Sequence, residues 1–347
     1  CGVVSGIITV TNLRKKLIAA IPVFFQDAIT VGIGLFIAYT GFRNTGLIEF
    51  AVNNVVDGIA SGSNTIPSLV TFDTATVILS VIGIIIISVL LLKKVKGAYL
   101  IGIILTTLIG IPLGVTMSPD FSNYTILPSL EPTFFKLDFA GLFTAKAGLV
   151  VVIMSIFTLV ISDLFDTIGT FIGTGKKSGI FKLNKNGDMS PNLENALVCD
   201  SVATIIGSLL GTSNITTYVE SSVGIEAGGR TGLTAVSAAI CFGLSLFLAP
   251  LVSCVPMAAI APILIFVGIS MVENIIKIDW KDILIAIPAF FIIVMMPLAY
   301  SITTGIQFGF VFYLLVNLSN KKGKNISPII YIFTILFIID FIYKAIG

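Results

Sequence analysis

Apolar stretches long enough to cross a lipid bilayer recur along the whole of this 347-residue chain. A helix that crosses the hydrocarbon core needs about 20 consecutive apolar residues, and a window of that length predicts nine full spans. The chain is 56% hydrophobic and only 11% charged, whereas soluble domains carry about 25% charged residues. These features predict an all-α polytopic membrane protein and exclude a soluble domain as the main part of the chain.

The predicted spans follow one another closely and leave only short connections at most places. The full spans cover residues 26–47, 75–92, 97–115, 147–172, 195–212, 231–252, 256–275, 281–302 and 303–319, and shorter apolar pieces cover 1–12 and 327–343.

The basic residues alternate between the two sides of the predicted membrane. Sixteen of the 20 Lys and Arg residues fall in one set of loops, and the opposite set carries only Arg43, Lys136 and Lys146. Because short cytoplasmic loops are enriched in Lys and Arg, the basic set is predicted to face the cytoplasm of a cell-membrane protein. The alternation holds only if the polar segment 213–230 counts as one crossing.

The segment 213–230 is too polar for an ordinary membrane helix and reads as a broken span. Its residues 215–219 are mostly β-branched or aromatic and favour a short extended strand, and a short helix is predicted from Ser221. Non-helical backbone at membrane depth is tolerated where it is buried in protein or lines a cavity. Broken spans of this kind form the binding sites of many secondary transporters, so a site is predicted here.

Three carboxylates within these membrane segments stand out: Asp163 and Asp166 in the span 147–172, and Glu220 in the broken span. A charged side chain at the bilayer centre costs about 2.5–3.5 kcal/mol on insertion scales, so it needs a function or strong compensation. Asp163 and Asp166 share one helix face with Thr167 and Thr170. The chain has no histidine, and the three carboxylates are therefore the candidates for carrying a proton.

Each of these side chains also has a purely structural interpretation. The two aspartates would then be hydrogen-bonded within a polar packing face, and Glu220 would cap the helix that begins at Ser221. Asp200 in the preceding span fits a structural role, and Glu226 and Arg230 fit an ion pair near the cytoplasmic side. The four cysteines have no spacing typical of a metal site and read as small apolar residues.

Three segments together resemble the AzgA-type purine permeases. They are SDLFDTIGT at 162–170, LGTSNITTYVES at 210–221 and GIEAGGRTGLTA at 224–235, and the resemblance extends through nearly the whole chain, including GIGLFIA at 32–38. The first segment is similar to the eighth span of that family, and the second to the junction of its ninth and tenth spans. These permeases are proton symporters for hypoxanthine, guanine and adenine, within the nucleobase:cation symporters.

The resemblance implies a fold of two inverted seven-span repeats, in which spans 1–4 and 8–11 form a core and spans 5–7 and 12–14 form a gate. The first repeat is then incomplete, and the chain is expected to be truncated at its N-terminus. On this chain the implied parts are the end of span 4 at 1–12, gate spans 5–7 at 26–115, core spans 8–11 at 147–252, gate spans 12–14 at 256–319, and an extra C-terminal hydrophobic helix at 327–343. Whether that last helix crosses the membrane or lies on its surface stays open.

By the same resemblance, Asp163 and Glu220 match the two carboxylates that hold the purine. The implied binding set adds Thr217, Tyr218, Val219 and Ser221. Carboxylates are acceptors suited to the ring N–H and exocyclic amine donors of purines. The expected protein is thus not an enzyme, and it works by alternating access of core against gate. A proton is its coupling ion, without other cofactor or metal. Its partners are a purine base and the bilayer, with no nucleic acid, and a homodimer is left open.

Three rival functions fit parts of the pattern. A related permease for uracil, xanthine or urate is ranked lower, because those branches generally have Glu where Asp163 stands. A sulfate-type anion carrier is disfavoured, because two site carboxylates would repel the anion. A membrane prenyltransferase would use Asp163 and Asp166 to hold Mg²⁺-diphosphate and needs a second Asp-rich motif, for which Asp279 and Asp282 are poor candidates.

Overall fold

A computed structural model provides the structure of the chain. It describes residues 2–11, 20–52, 55–56, 59–60, 65–118, 131–138, 141, 191–218, 221–321 and 326–346, together with positions 152, 156, 159–160, 163–164, 167–171, 174–175 and 179.

The described part is mainly helical, which confirms the predicted all-α membrane fold. The helices are α1 (Gly2–Val10), α2 (Val23–Asn44), α3 (Ala75–Leu92), α4 (Ala98–Gly110), α5 (Pro191–Leu210), α6 (Ser221–Glu226), α7 (Gly232–Phe247), α8 (Ala249–Val252), α9 (Met257–Val272), α10 (Ile283–Leu298), α11 (Ile302–Ser319) and α12 (Pro328–Ile346). A 3-10 turn at Glu273–Lys277 continues α9. The described residues between 152 and 175 are helical as well, and we call them the Asp163 segment.

Several of these helices have the length and composition of membrane spans. Among the described residues, four helices are long and apolar enough to cross a membrane: Val23–Asn44, Ala75–Leu92, Met257–Lys277 and Ile302–Ser319. Shorter apolar helices lie at Ala98–Gly110, Asn195–Leu210, Gly232–Phe247, Ile283–Leu298 and Pro328–Ile342. Each of these helices coincides with one of the predicted apolar stretches.

Two small antiparallel sheets of two strands each occupy part of the loop between the first two full spans. β1 (Ile48–Val52) pairs with β4 (Thr65–Leu69) so that Ile48 lies opposite Leu69, and β2 (Val55–Val56) pairs with β3 (Ile59–Ala60). No secondary-structure element was predicted here, because long apolar windows do not reveal short strands, whose side chains alternate between two faces.

Short polar residues fix the starts of three membrane helices. The side chains of Thr74, Asp282 and Ser301 accept hydrogen bonds from backbone N–H groups in the first turns of α3, α10 and α11. Such N-caps satisfy backbone donors that have no partner within the helix. The apolar stretches therefore begin as helices at defined residues.

The chain divides into two compact units. Unit 1 contains Cys1–Phe36, Ser129–Glu226 and Met271–Gly347, and unit 2 contains Ile37–Pro128 and Ala227–Ser270. The two units group residues that pack together, whereas the predicted core and gate are parts that move against each other during transport. The ranges of core and gate therefore stay a prediction.

Glycines allow close helix packing in unit 1. A Cβ added at Gly32 of α2 would lie 3.2 Å from the Ile292 carbonyl oxygen of α10, and one added at Gly305 of α11 would lie 2.9 Å from the same atom. Small residues permit such close approach between membrane helices, where packing is a main source of stability. The backbones of α2 and α11 thus both contact α10.

Aromatic and polar contacts tie α12 to α11 in the same unit. The ring centroids of Phe310 and Phe337 lie 5.4 Å apart in an edge-to-face arrangement. Gln307 Nε2 donates to Asp340 Oδ2 at 2.9 Å, and both side chains are buried. This pair was not predicted from the sequence.

Unit 2 is packed by the same principle. A Cβ added at Gly41 would lie 3.0 Å from the Ala261 carbonyl oxygen. The Ser80 hydroxyl of α3 donates to the Thr45 carbonyl oxygen at 3.0 Å. Hydrogen bonds from small hydroxyl side chains commonly connect neighbouring helices in membrane proteins.

Candidate functional site

The predicted break in the helical pattern is present, and its described residues 212–218 lie in unit 1. Helix α5 ends at Leu210, and Gly211 has a positive φ of 87°. Residues 212–218 are not helical, but no strand is assigned at 215–218, where a short strand was predicted. Helix α6 then begins at Ser221, as the sequence predicted. A positive φ is accessible to glycine at little cost, so Gly211 is the residue that ends the helix and turns the chain.

Two contacts hold the broken segment against α5. The Thr204 hydroxyl donates to the Ile215 carbonyl oxygen at 2.8 Å. A Cβ added at Gly207 would lie 2.6 Å from Ile215 Cδ1, so the missing side chain makes room for Ile215. The irregular backbone thereby receives a donor from the neighbouring helix in place of its own helical bonds.

Asp163 is the buried acceptor at the centre of a hydrogen-bond network. Its side chain is 2% exposed. Asn214 Nδ2 of the broken segment donates to Asp163 Oδ1 at 2.9 Å, and the Ser5 hydroxyl of α1 donates to Oδ2 at 3.1 Å. Both carboxylate oxygens therefore accept a hydrogen bond, and the network joins α1, the Asp163 segment and the broken span.

One turn further along the Asp163 segment, a second buried carboxylate is engaged. The Thr167 hydroxyl donates to Asp200 Oδ2 of α5 at 3.1 Å, and both side chains are buried. Asp163 and Thr167 are four residues apart and share a helix face. This face therefore contacts the broken segment through Asp163 and α5 through Thr167.

A cleft of about 300 Å³ opens beside these contacts. Besides two alanines of α5, its lining consists of Phe171, Cys199, Asp200, Ile215, Thr216 and Thr217. This volume lies at the small end of the range of roughly 300–1,000 Å³ typical of ligand sites. The lining residues of the cleft include an aromatic ring, a carboxylate and two hydroxyls.

The structure places the predicted site residues in different surroundings. Thr217 lines the cleft and is half-buried, Tyr218 is 66% exposed, and Ser221 is exposed at the start of α6. Asp163 is near the cleft through its segment but is not part of its lining. Asp166, Val219 and Glu220 lie outside the described residues.

The remaining polar candidates are less informative. Arg230 is exposed, and its Nη1 donates to the Gly229 carbonyl oxygen at 2.8 Å. Glu226 ends α6, and the structure describes nothing of its side chain. Among the described residues, no group of three or more His, Cys, Asp or Glu side chains is placed to hold a metal ion.

Ser5, Phe171 and Asn214 are among the members of this arrangement that were not predicted from the sequence. Ser5 lies 158 residues from Asp163, a separation that no local pattern reveals. Phe171 reads as one of many apolar residues, although it lies eight residues after Asp163 and so near the same face. Asn214 offered a usable signal, because an amide in a broken span is a suitable donor for a buried carboxylate.

Comparisons with known proteins agree with this architecture. The family profile Xan_ur_permease, described as a permease family, matches residues 1–308. The transmembrane domain of a cyanobacterium bicarbonate transporter, BicA, has a similar structure, with a TM-score of 0.54 and 17% identity, over 92% of this chain and 74% of that one. At this identity the likeness concerns the fold alone.

Curated relatives are closer in sequence. The guanine/hypoxanthine permease PbuO of Bacillus subtilis (strain 168) is 39% identical over 347 residues, covering 98% of this chain and 75% of that protein. The adenine permease AdeP of Escherichia coli (strain K12) is 36% identical, covering 97% and 71% respectively. The guanine/hypoxanthine permease PbuG of Bacillus subtilis (strain 168) is 35% identical, covering 99% and 73%.

These relatives are transporters and not enzymes, as the sequence predicted. The match to the family profile extends over nearly the whole chain, and the apolar helices are those of a multi-pass membrane protein. The chain belongs to this permease family.

Proposed function

We propose that this protein imports purine nucleobases, namely hypoxanthine, guanine and adenine, by proton symport. Relatives that are 35–39% identical are named as permeases for these bases. In this proposal a core that carries the substrate moves against a gate, so that the site opens to each side of the membrane in turn. Homodimer formation is not needed for any step.

The observation that carries the proposal is the bond between Asn214 and Asp163. It attaches the irregular backbone of the broken span to a carboxylate that is 2% exposed. Intramembrane carboxylates and broken spans are each associated with substrate and ion pathways. Here the two features meet at one hydrogen bond.

The purine is held in this proposal by acceptors and donors of complementary type. Glu220 and Asp163 accept hydrogen bonds from ring N–H groups and from the exocyclic amine of guanine or adenine. Backbone N–H groups of 218–221, together with Thr217, Tyr218, Val219 and Ser221, face the acceptor atoms of the base. At the start of α6 the Ser221 N–H already donates to the Tyr218 carbonyl oxygen at 3.2 Å, so in this proposal the base takes the place of that acceptor or bonds to a neighbouring N–H group.

The coupling proton binds to one of the carboxylates Asp163, Asp166 and Glu220. A carboxylate that gains a proton loses its charge, and hydrogen bonds to charged acceptors are about twice as strong as neutral ones. Protonation of Asp163 therefore weakens its bonds from Asn214 and Ser5. Such a change loosens the broken segment and links the proton to the substrate site.

Uptake of radiolabelled hypoxanthine tests this function in cells that lack their own purine permeases. Uptake is expected to rise as the external pH falls and to stop with a protonophore, because inward proton movement drives it. Unlabelled guanine and adenine should compete, and uracil, xanthine and urate should compete poorly. Uptake that does not depend on pH or protonophore would contradict proton symport. Stronger competition by uracil, xanthine or urate than by guanine and adenine would contradict the proposed substrates.

The Glu220→Gln variant tests the position of the site. The amide presents a donor where the purine N–H requires an acceptor. Losing one hydrogen bond to a charged group costs about 1.5–3 kcal/mol, or roughly a ten- to hundredfold loss of affinity. Asp163→Asn should impair uptake comparably and Asp166→Asn less. Near-normal uptake by Glu220→Gln at equal surface expression would place the purine elsewhere.

A further inference from the structure

The cleft beside the broken span has chemical features that the proposed carboxylate pair does not use. It is lined by Phe171, Asp200 and Cys199 in addition to Thr216 and Thr217. Asp200 and Phe171 are each 7% exposed, and Cys199 is exposed. The first two are thus largely enclosed by protein, and they present only a small surface to the cleft.

The cleft is coupled to Asp163 through the structure. Asp163, Thr167 and Phe171 follow one another at intervals of four residues and lie along one helix face. Thr167 holds Asp200 by the hydrogen bond from its hydroxyl to Oδ2, and Asn214 holds Asp163. The same short stretch of helix therefore orients two carboxylates, of which Asp200 reaches the cleft.

We propose that this cleft is a binding position for the nucleobase ring, with Asp200 as a hydrogen-bond acceptor and Phe171 as an aromatic contact. The inference rests on the proposed function and adds two residues to its site. An aromatic ring suits a flat heterocycle, and a carboxylate suits its N–H donors. The hydroxyls of Thr216 and Thr217 provide donors for ring nitrogen or carbonyl acceptors. With about 300 Å³, the cleft fits a bare base better than a nucleoside.

Cys199 provides a direct test because it is an exposed thiol on the cleft wall. The protein is prepared with Cys1, Cys241 and Cys254 replaced by serine and with Lys281→Cys as a reference. Lys281 is exposed in the charged turn before α10. Membranes are treated with N-ethylmaleimide in the presence of hypoxanthine, guanine, adenine or guanosine, and both thiols are quantified by mass spectrometry.

Bound base should shield Cys199 and leave the reference thiol at position 281 unaffected. At a concentration about ten times the dissociation constant, labelling of Cys199 should slow about tenfold, and guanosine should give little protection. If labelling is equal with and without base in a preparation whose purine uptake is intact, the base does not bind in the cleft, and the proposed transport function is unaffected. Absence of both uptake and protection would overturn the proposed function itself.

Variants of the acceptor give a second readout. Asp200→Asn keeps an oxygen that accepts from Thr167 but removes the negative charge, so the fold is disturbed little. The concentration of base needed for protection and the KM for uptake should both rise about ten- to hundredfold. Asp279→Asn, an exposed carboxylate outside the cleft, is the matched control and should change neither. Phe171→Leu should weaken protection while surface expression is retained, and unchanged values in both cleft variants would contradict the assignment.

Discussion

A carboxylate that is removed from water needs hydrogen-bond donors, and Asp163 receives one on each oxygen. The donors come from Asn214 in the broken span and Ser5 in α1, so one side chain joins three separate parts of the chain. An unsatisfied buried acceptor costs about 1–3 kcal/mol, and more when it is charged. The network around Asp163 is therefore a stabilising element as well as a candidate site.

Replacing Asn214 by alanine should expose this double role. The variant loses the 2.9 Å bond to Asp163, and we expect about 1.5–3 kcal/mol of destabilisation. Thermal unfolding of the purified protein in detergent is the measurement. Ser237→Ala is the control, because that exposed hydroxyl bonds only to the Leu233 carbonyl oxygen of its own helix and its loss should be nearly neutral.

The double variant Asp163→Asn/Asn214→Ala isolates the pair. If the two residues interact as the structure indicates, their combined effect should be smaller than the sum of the single effects by about 0.5–3 kcal/mol. Strict additivity would mean that the bond contributes nothing to stability.

Among individual residues, the acceptor Asp163 was easier to predict from the sequence than its hydrogen-bond donors. Asp163 was detectable because a charge inside an apolar helix is rare. Ser5 and Thr167 are small hydroxyl residues of a kind common throughout membrane helices, and only the folded chain reveals that they face carboxylates. Asp200 was treated as structural, and its place on the cleft wall depends on packing between α5 and the Asp163 segment.

Among the elements, the broken span depends on support from α5. Thr204 donates to the Ile215 carbonyl oxygen at 2.8 Å, which satisfies one backbone acceptor of a segment that has no helical bonds. Orphaned backbone groups are costly in a low-dielectric setting. Thr204 therefore positions the segment that contains Thr216 and Thr217.

Replacing Thr204 by valine removes this donor while preserving the shape of the side chain. The KM for purine uptake should rise about tenfold, because the Ile215 carbonyl oxygen loses a part-buried hydrogen bond and the segment shifts to find another donor. The test is uptake kinetics at matched surface expression. Thr334→Val makes the same change at a buried threonine that bonds within its own helix, to the Ile330 carbonyl oxygen, and should leave KM unaltered. Equal KM values for both variants would contradict a positioning role.

Helix packing offers a prediction that does not involve the site. A Cβ at Gly305 would lie 2.9 Å from the Ile292 carbonyl oxygen and 3.0 Å from the Met296 backbone nitrogen, so Gly305→Ala forces α11 away from α10. We expect about 1–3 kcal/mol of destabilisation, seen as a lower unfolding temperature in detergent. At Gly243 in α7 no atom lies within 4 Å of an added Cβ, and Gly243→Ala should be neutral or slightly stabilising. The opposite ranking would show that α10 and α11 can separate at no cost.

The positions of the long helices were predictable, and those of irregular elements were less so. The predicted span 75–92 coincides with α3, and 303–319 differs from α11 by a single residue, because about 20 apolar residues in a row have few alternatives to a membrane helix. The antiparallel pair β1–β4 was missed, because a strand of five residues is too short to be detected by a search for long apolar stretches. The helix start at Ser221 was found because β-branched residues precede it and leave little propensity for helix.

For the whole molecule, the family relationship and the fold agree, while the membrane orientation rests on charge alone. Sixteen of the 20 basic residues lie in loops of one set, and the positive-inside rule assigns that set to the cytoplasm. The loops predicted to be cytoplasmic include 12–25, 93–96 and 173–194, and those predicted to be external include 48–74 and 116–146. Parts of several of these loops lie outside the described residues.

Helix α3 provides the sharpest test of this orientation, because residues just beyond both of its ends are described and exposed. Its 18 residues extend over about 27 Å, close to the thickness of the hydrocarbon core of about 30 Å, so its two ends must lie on opposite sides. Asp73 precedes the helix on the predicted external side, and Lys94 follows it in the basic turn Lys93–Lys96. Single cysteines are introduced at Asp73 and Lys94 in a chain without its native cysteines.

An impermeant thiol reagent applied to intact cells should label the cysteine at position 73 and leave position 94 unlabelled until the membrane is permeabilised. The reverse pattern would invert the whole assignment, because all the loops alternate from this helix. Labelling at both positions in intact cells would mean that α3 does not cross the bilayer, and the basic-residue alternation would then lose its basis. The expected labelling would show that α3 crosses the bilayer in the predicted direction, and it would support the orientation inferred from the basic residues of the entire chain.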